Sequence, residues 1–112
     1  MKATKRQRNV ANSDGNPAAS AAVGTSVILD FYSSAFCDPC IATRAVLSDV
    51  GRLVPAVTIH ELDVARDAAT AETAGIRVTP TIVVHAGDGS EVFRAEGVPT
   101  VNQVLVAIAK AM

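Results

Sequence analysis

The chain has 112 residues, 49% of them apolar and 19% charged, with a formal net charge of −1 at pH 7. That is one globular domain with enough apolar residues for a core of its own. The near-neutral balance argues against a dedicated nucleic-acid or membrane surface, and no apolar run approaches the roughly 18 residues a spanning helix needs.

Lys2, Lys5, Arg6 and Arg8 make a basic start, but the mostly polar Asn9 to Gly15 follow where a secretory signal would carry its apolar core. The chain therefore reads as cytoplasmic. Residues 1–16 hold too little apolar surface to offset their ordering entropy, so they read as a flexible basic tail, with 17–112 as the domain. Asn16-Pro17 before Ala18 to Val23 and Gly24 predicts a short helix, capped by Asn, opened by Pro and ended by Gly. Thr25 to Tyr32 is rich in β-branched and aromatic residues and apolar on both faces from Val27 to Leu29, which predicts a strand buried on both sides of a sheet.

Phe36-Cys37-Asp38-Pro39-Cys40 follows, and from Cys40 the period changes. Ile41, Ala45, Val46, Val50 and Leu53 recur at helical spacing until Pro55 stops them. Val57 to Val64 reads as a second strand and Arg66 to Ala74 as a helix closed by Gly75. A connector at 76–80 leads to a strand from Thr81 to His85, a turn at Gly87-Asp88-Gly89 and a returning strand from Glu91 to Ala95. Thr100-Val101-Asn102-Gln103 is a capping box opening an amphipathic helix with Val101, Val104, Leu105, Ile108 and Met112. Strand–helix–strand–helix, then hairpin and helix, predicts an α/β fold: a mixed central sheet of about four strands with helices on both faces.

Cys37 and Cys40 are the only cysteines, two residues apart between a strand and a helix. At a helix N-terminus the unpaired N–H groups and the positive end of the dipole stabilise a thiolate on the first cysteine, and the second can close a ring onto it. In a cytoplasmic chain such a pair reads as catalytic or metal-bound rather than as a staple. Zinc needs four ligands, and only His60 and His85 remain as nitrogen donors at no familiar spacing, so the dithiol reading is preferred and no metal is expected. Both histidines read as ordinary strand residues. Asp30 reads either as a strand residue held by a hydrogen bond or as a functional carboxylate whose pKa burial raises. The absence of Arg, Lys or His beside it in sequence favours the second. Pro80 can simply begin a strand.

Taken together, Leu29-Asp30-Phe31-Tyr32, the Cys37–Cys40 dithiol, Gly75-Ile76-Arg77, Thr79-Pro80-Thr81 and Gly97 make the chain resemble the thioredoxin family from about Ser26 to Met112. The resemblance implies a thioredoxin-like fold and a set of roles. Cys37 is the attacking thiolate, Cys40 the buried resolving thiol, and Asp30 a buried carboxylate beneath the dithiol that moves the Cys40 proton. Pro80 is a cis-proline facing Cys37 that leaves the preceding backbone free for an extended substrate, and Gly97 leaves room for that substrate at the opposite wall. Phe36 stands where the family usually has tryptophan and keeps an apolar platform. Asp38 stands for the usual glycine. Beside Cys37, with Pro39 in the same helix turn, its charge is expected to weaken the thiolate and make the couple more reducing. Glu61 stands where a lysine is usual and is expected to raise the pKa of Asp30 if the two lie together. Thr79 offers a hydroxyl to a thiolate or a substrate amide. The family's first strand has no convincing counterpart, unless Arg8 to Ala11 supply a weak fifth one.

The expected function is thiol–disulfide exchange that reduces protein disulfides, with disulfide-containing clients and a thioredoxin-reductase-type electron donor as partners, no bound cofactor, and a monomeric state. The competing readings are glutaredoxin- or isomerase-like exchange, and a non-catalytic module that kept the fold. The glutaredoxin-like reading is weakened by the lack of a cationic set for glutathione near the dithiol, and the non-catalytic one by the joint presence of both cysteines, Asp30 and Pro80.

Overall fold

A computed structural model describes residues 26–112. The expected tail, the short helix at 17–24 and the weak strand candidate at 8–11 lie outside the described residues. The elements run β1 (Val27–Ser33), α1 (Asp38–Leu53), β2 (Val57–Asp63), α2 (Ala68–Thr73), β3 (Thr81–His85), β4 (Glu91–Glu96) and α3 (Val101–Ala111). The sheet order is β2-β1-β3-β4. β1 and β2 are parallel, while β1/β3 and β3/β4 are antiparallel, so the α/β fold with a four-strand mixed sheet is as the sequence predicts. None of the described helices is long and apolar enough to cross a membrane.

Alternation along β1 sorts the interior into two layers. Val27, Leu29 and Phe31 face α1 and α3, where they pack with Cys40, Leu47, Val50, Ile82, Val84, Val104 and Ile108. Tyr32 faces the other way and joins Val83 and Ala71 of α2 in a smaller cluster. Helices therefore cover both faces, which is why β3 is buried from Thr81 to Val84. α3 is opened by a capping box: Thr100 Oγ1 accepts the Gln103 N–H at 3.1 Å, and Gln103 Oε1 accepts the Thr100 N–H at 2.9 Å. This satisfies two of the helix's unpaired donors.

α1 begins at Asp38 with Cys37 as its cap, so the dithiol sits at a helix N-terminus as expected. Strand ends shift slightly from the sequence expectation, and one helix start differs. α2 begins at Ala68 rather than Arg66. Asp63 Oδ1 accepts the N–H groups of Ala65 and Arg66 at 2.8 and 3.1 Å, and Asp67 Oδ2 accepts the Asp63 N–H at 3.0 Å. These bonds hold 63–67 as a turn and delay the helix. Gly75, in the left-handed region at φ 72°, ends α2 as expected. β4 lies at one margin of the sheet, with a register shift opposite Val84/His85 and paired charges along it: Arg94 with Glu91, and Glu96 with Arg77.

Leu29 is fully buried at the centre of the larger layer. Leu29→Ala is expected to lower stability by about 2–5 kcal/mol, read as a lower urea midpoint with an unchanged slope.

Candidate active site

The site forms where β1 leaves the sheet. Residues 34–36 carry the chain from β1 to α1, and Phe36 makes the last turn with a left-handed backbone, φ 55°, its side chain fully exposed. That conformation costs a residue with a Cβ about 1–2 kcal/mol, and an exposed ring recovers nothing by burial in the free protein. The turn delivers Cys37 to the N-cap of α1 in an extended conformation. Cys37 Sγ accepts the Cys40 N–H at 3.1 Å. Pro39, in the same first turn, has no N–H of its own to offer. Asp38 occupies the first helical position and is exposed.

Cys37 and Cys40 form a disulfide with their Cα atoms 5.2 Å apart. Cys40 is 1% exposed, within the layer of Leu29 and Phe31, while Cys37 is half-buried at its edge. An incoming group therefore reaches Cys37 first. Across from it, the Thr79–Pro80 peptide bond is cis and Pro80 is fully buried. Thr79 Oγ1 lies 4.0 Å from Cys37 Sγ and 2.7 Å from Ser34 Oγ. The Pro80 carbonyl accepts the Gly97 N–H at 2.8 Å. Gly97 has φ 93°, which favours glycine, and the space a Cβ would enter is open. Phe36, Cys37, Asp38, Pro39, Cys40, Thr79 and Pro80 thus come together, with Gly97 tied to Pro80.

Asp30 does not join them. The parity that sends Leu29 and Phe31 under α1 sends Asp30 to the α2 side, where it lines a groove of about 480 Å³ with Tyr32, Thr70, Thr73 and Arg94. Its carboxylate sits 3.3 Å from His60 Nδ1 and 3.3 Å from His85 Nε2. The expected carboxylate beneath the dithiol is therefore a histidine-flanked carboxylate on the opposite face, and Phe31 fills the layer next to Cys40. Burial and the Asp30 carboxylate push the Tyr32 phenol above its ordinary value. The two histidines, read from sequence as bystanders, are the groups that hold Asp30. Among the described residues no group of three or more His, Cys, Asp or Glu is arranged to hold a metal ion.

Glu61 does not lie with Asp30 either. It pairs in register with Phe31 and faces α1, where Arg44 Nε and Nη2 donate to its carboxylate at 2.9 and 2.5 Å and Ser33 Oγ donates at 2.9 Å. The Arg44 guanidinium, aided by the Ser33 hydroxyl against partial burial, holds the Glu61 carboxyl below its ordinary value. Instead of acting on Asp30, Glu61 clamps α1 to β2. Arg44 also lies 5.8 Å from the Phe31 ring centroid. Ser33, Ser34 and Arg44 escaped the sequence reading because their partners are 28, 45 and 17 residues away.

A family model described as Thioredoxin matches residues 17–110. The chain is 34% identical over 84 residues to a thioredoxin of Chlamydia muridarum, covering 75% of this chain and 80% of that one. It is 32% identical over 84 residues to a thioredoxin of Chlamydia trachomatis serovar D, with the same coverage. The solved structure of Fasciola hepatica thioredoxin superposes with a TM-score of 0.70 at 22% identity, over 80% of this chain and 84% of that one, which shows the shared fold. A helix-capping Cys-x-x-C pair on this sheet defines a thiol–disulfide oxidoreductase. The chain belongs to the thioredoxin family.

Two predictions follow from the geometry. Phe36→Gly is expected to raise stability by about 0.5–1 kcal/mol by releasing the left-handed strain, while lowering turnover of protein disulfides. Urea denaturation and a client-reduction assay read the two effects. Glu61 has a folded pKa below its ordinary 4.5, so its contribution is fully present above that pH and is lost as pH falls through the lower folded value. Glu61→Gln should therefore destabilise at pH 7 by less than about 1 kcal/mol, as befits a largely exposed pair, and converge on the parent once pH falls below the lowered Glu61 value. Urea midpoints measured across a falling pH series check this.

Proposed function

We propose that the chain reduces disulfides in other proteins, with Cys37 as the attacking thiolate and Cys40 as the resolving thiol. The observation that carries this is the contrast between the two sulfurs. Cys37 is half-buried at the edge of the core with its Sγ accepting a helix N–H, while Cys40 lies in the core. A helix N-terminus favours the anionic form of its capping group, and the thiolate is the nucleophile.

The Cys37 thiolate attacks one sulfur of a client disulfide, and the client's other sulfur leaves as a thiolate and takes up a proton. Cys40, deprotonated, then attacks Cys37 Sγ and releases the second client sulfur. Two electrons and two protons pass to the client, and the Cys37–Cys40 disulfide is left behind. An electron donor of the thioredoxin-reductase type returns the dithiol. Phe36 and the Thr79–Pro80 lip flank Cys37 as the surface that receives an extended client segment. Pro80 and Gly97 fix the shape of that lip. Asp38, adjacent in sequence to Cys37, biases the couple toward the reducing end. The protein acts as a cytoplasmic monomer in cellular redox balance, with residues 1–16 as a solubilising tail.

Insulin reduction with dithiothreitol tests the reading. Catalytic turbidity is expected from the parent and none from Cys37→Ser, while Cys40→Ser should accumulate mixed disulfides visible on non-reducing gels. A Cys40→Ser protein that traps no client, or a Cys37→Ser protein that still turns over, would remove the exchange mechanism.

A further inference from the structure

Ser34 lies in the connector between β1 and α1, outside the dithiol motif. Its Oγ is 2.7 Å from Thr79 Oγ1, and Thr79 Oγ1 is in turn 4.0 Å from Cys37 Sγ. The two hydroxyls and the sulfur connect two stretches of the chain, 34–37 and 79, all of it part-buried. A hydroxyl has one proton and two acceptor sites, so Thr79 can donate to only one neighbour at a time.

The oxidation state of the dithiol decides which. A disulfide sulfur is neutral and a weak acceptor, consistent with the long Thr79–Cys37 contact, and the Thr79 proton is free to serve Ser34. A Cys37 thiolate is an anionic acceptor and draws that proton to itself. The Ser34 proton then donates to the Thr79 oxygen, and the two bonds polarise each other in one direction. Without Ser34, the Thr79 side chain loses the partner that fixes its rotamer, and threonine has more than one accessible χ1 state.

We propose that Ser34 is a positioning residue for the thiol–disulfide reaction: it holds the Thr79 hydroxyl on Cys37 and through it stabilises the Cys37 thiolate. The inference rests on the reading of Cys37 as the attacking thiolate. Its sign is opposite to that of Asp38. Stabilising the thiolate favours the reduced protein, so the Ser34–Thr79 pair moderates the bias of the neighbouring carboxylate.

A Cys40→Ser protein has a single thiol, so its thiolate absorbance against pH titrates Cys37 alone. In that background Ser34→Ala is expected to raise the Cys37 pKa by about 0.5–1 unit, and Ser34→Thr, which keeps the hydroxyl, to restore it. The same Ser34→Ala change made together with Thr79→Val should move nothing further, because Ser34 acts through Thr79. In the two-cysteine protein, Ser34→Ala should shift the equilibrium with dithiothreitol about threefold toward the disulfide, about 14 mV in a two-electron couple. A Cys37 pKa unchanged by Ser34→Ala overturns the proposal, as does a shift that persists when Thr79 is valine. Alkylation of Cys40 ahead of Cys37 in the reduced parent is a different failure: it overturns the attacking role itself.

Discussion

The central strand β1 is hydrogen-bonded on both edges, to β2 in parallel and to β3 in antiparallel register. Its parity is therefore fixed along its whole length, because a slip of one residue would turn every side chain to the wrong layer. Leu29 and Phe31 must face α1, and Asp30 and Tyr32 must face α2. Everything at the dithiol is built on the first layer, and the ionisable cluster of Asp30, His60 and His85 on the second. The sheet itself separates the redox centre from that cluster.

On the dithiol side, several weak influences converge on one sulfur. The Cys40 N–H and the helix terminus would favour a thiolate, and on the function proposed above the adjacent Asp38 carboxylate would oppose it. The Thr79 hydroxyl lies 4.0 Å from the same atom. Single charge-assisted hydrogen bonds contribute about 1.5–3 kcal/mol, so no one of these dominates. The surroundings of Cys37 thus come from two separate stretches of chain, 37–40 and 79. The Arg44–Glu61 pair, one helical turn beyond Cys40, adds a surface tie from that helix to β2.

Most of the architecture was legible because it rests on local pattern. The apolar runs at Val27 to Leu29 and Ile82 to Val84 announced strands covered on both faces, and the Thr100–Gln103 box announced α3. The dithiol, Pro80 and Gly97 were legible as a spaced set. Asp30 was not, for a geometric reason. β1 ends at Ser33, and the connector from there to Cys37 can bring the dithiol to either face of the strand. Seven residues of separation do not say which face the carboxylate shares. Glu61 failed with it: its register partner is Phe31, and Arg44 reaches it from a helix whose rotation only packing fixes. The late start of α2 depends on Asp63 and Asp67 binding nearby backbone, a local competition that alanine-rich helix propensity hid.

The charged, bulged character of β4 bears on selectivity. A protein that accepts extended peptides from unrelated partners risks accepting them wherever its backbone is unpaired, including along the margins of its own sheet. The irregular register at Val84/His85 and the ion pairs carried by Glu91, Arg94 and Glu96 make β4 a poor template for an added strand. An added strand therefore finds little to pair with along the β4 margin, on the side of the sheet away from β2. The same charges and irregular register keep this margin from templating aggregates of the chain with itself.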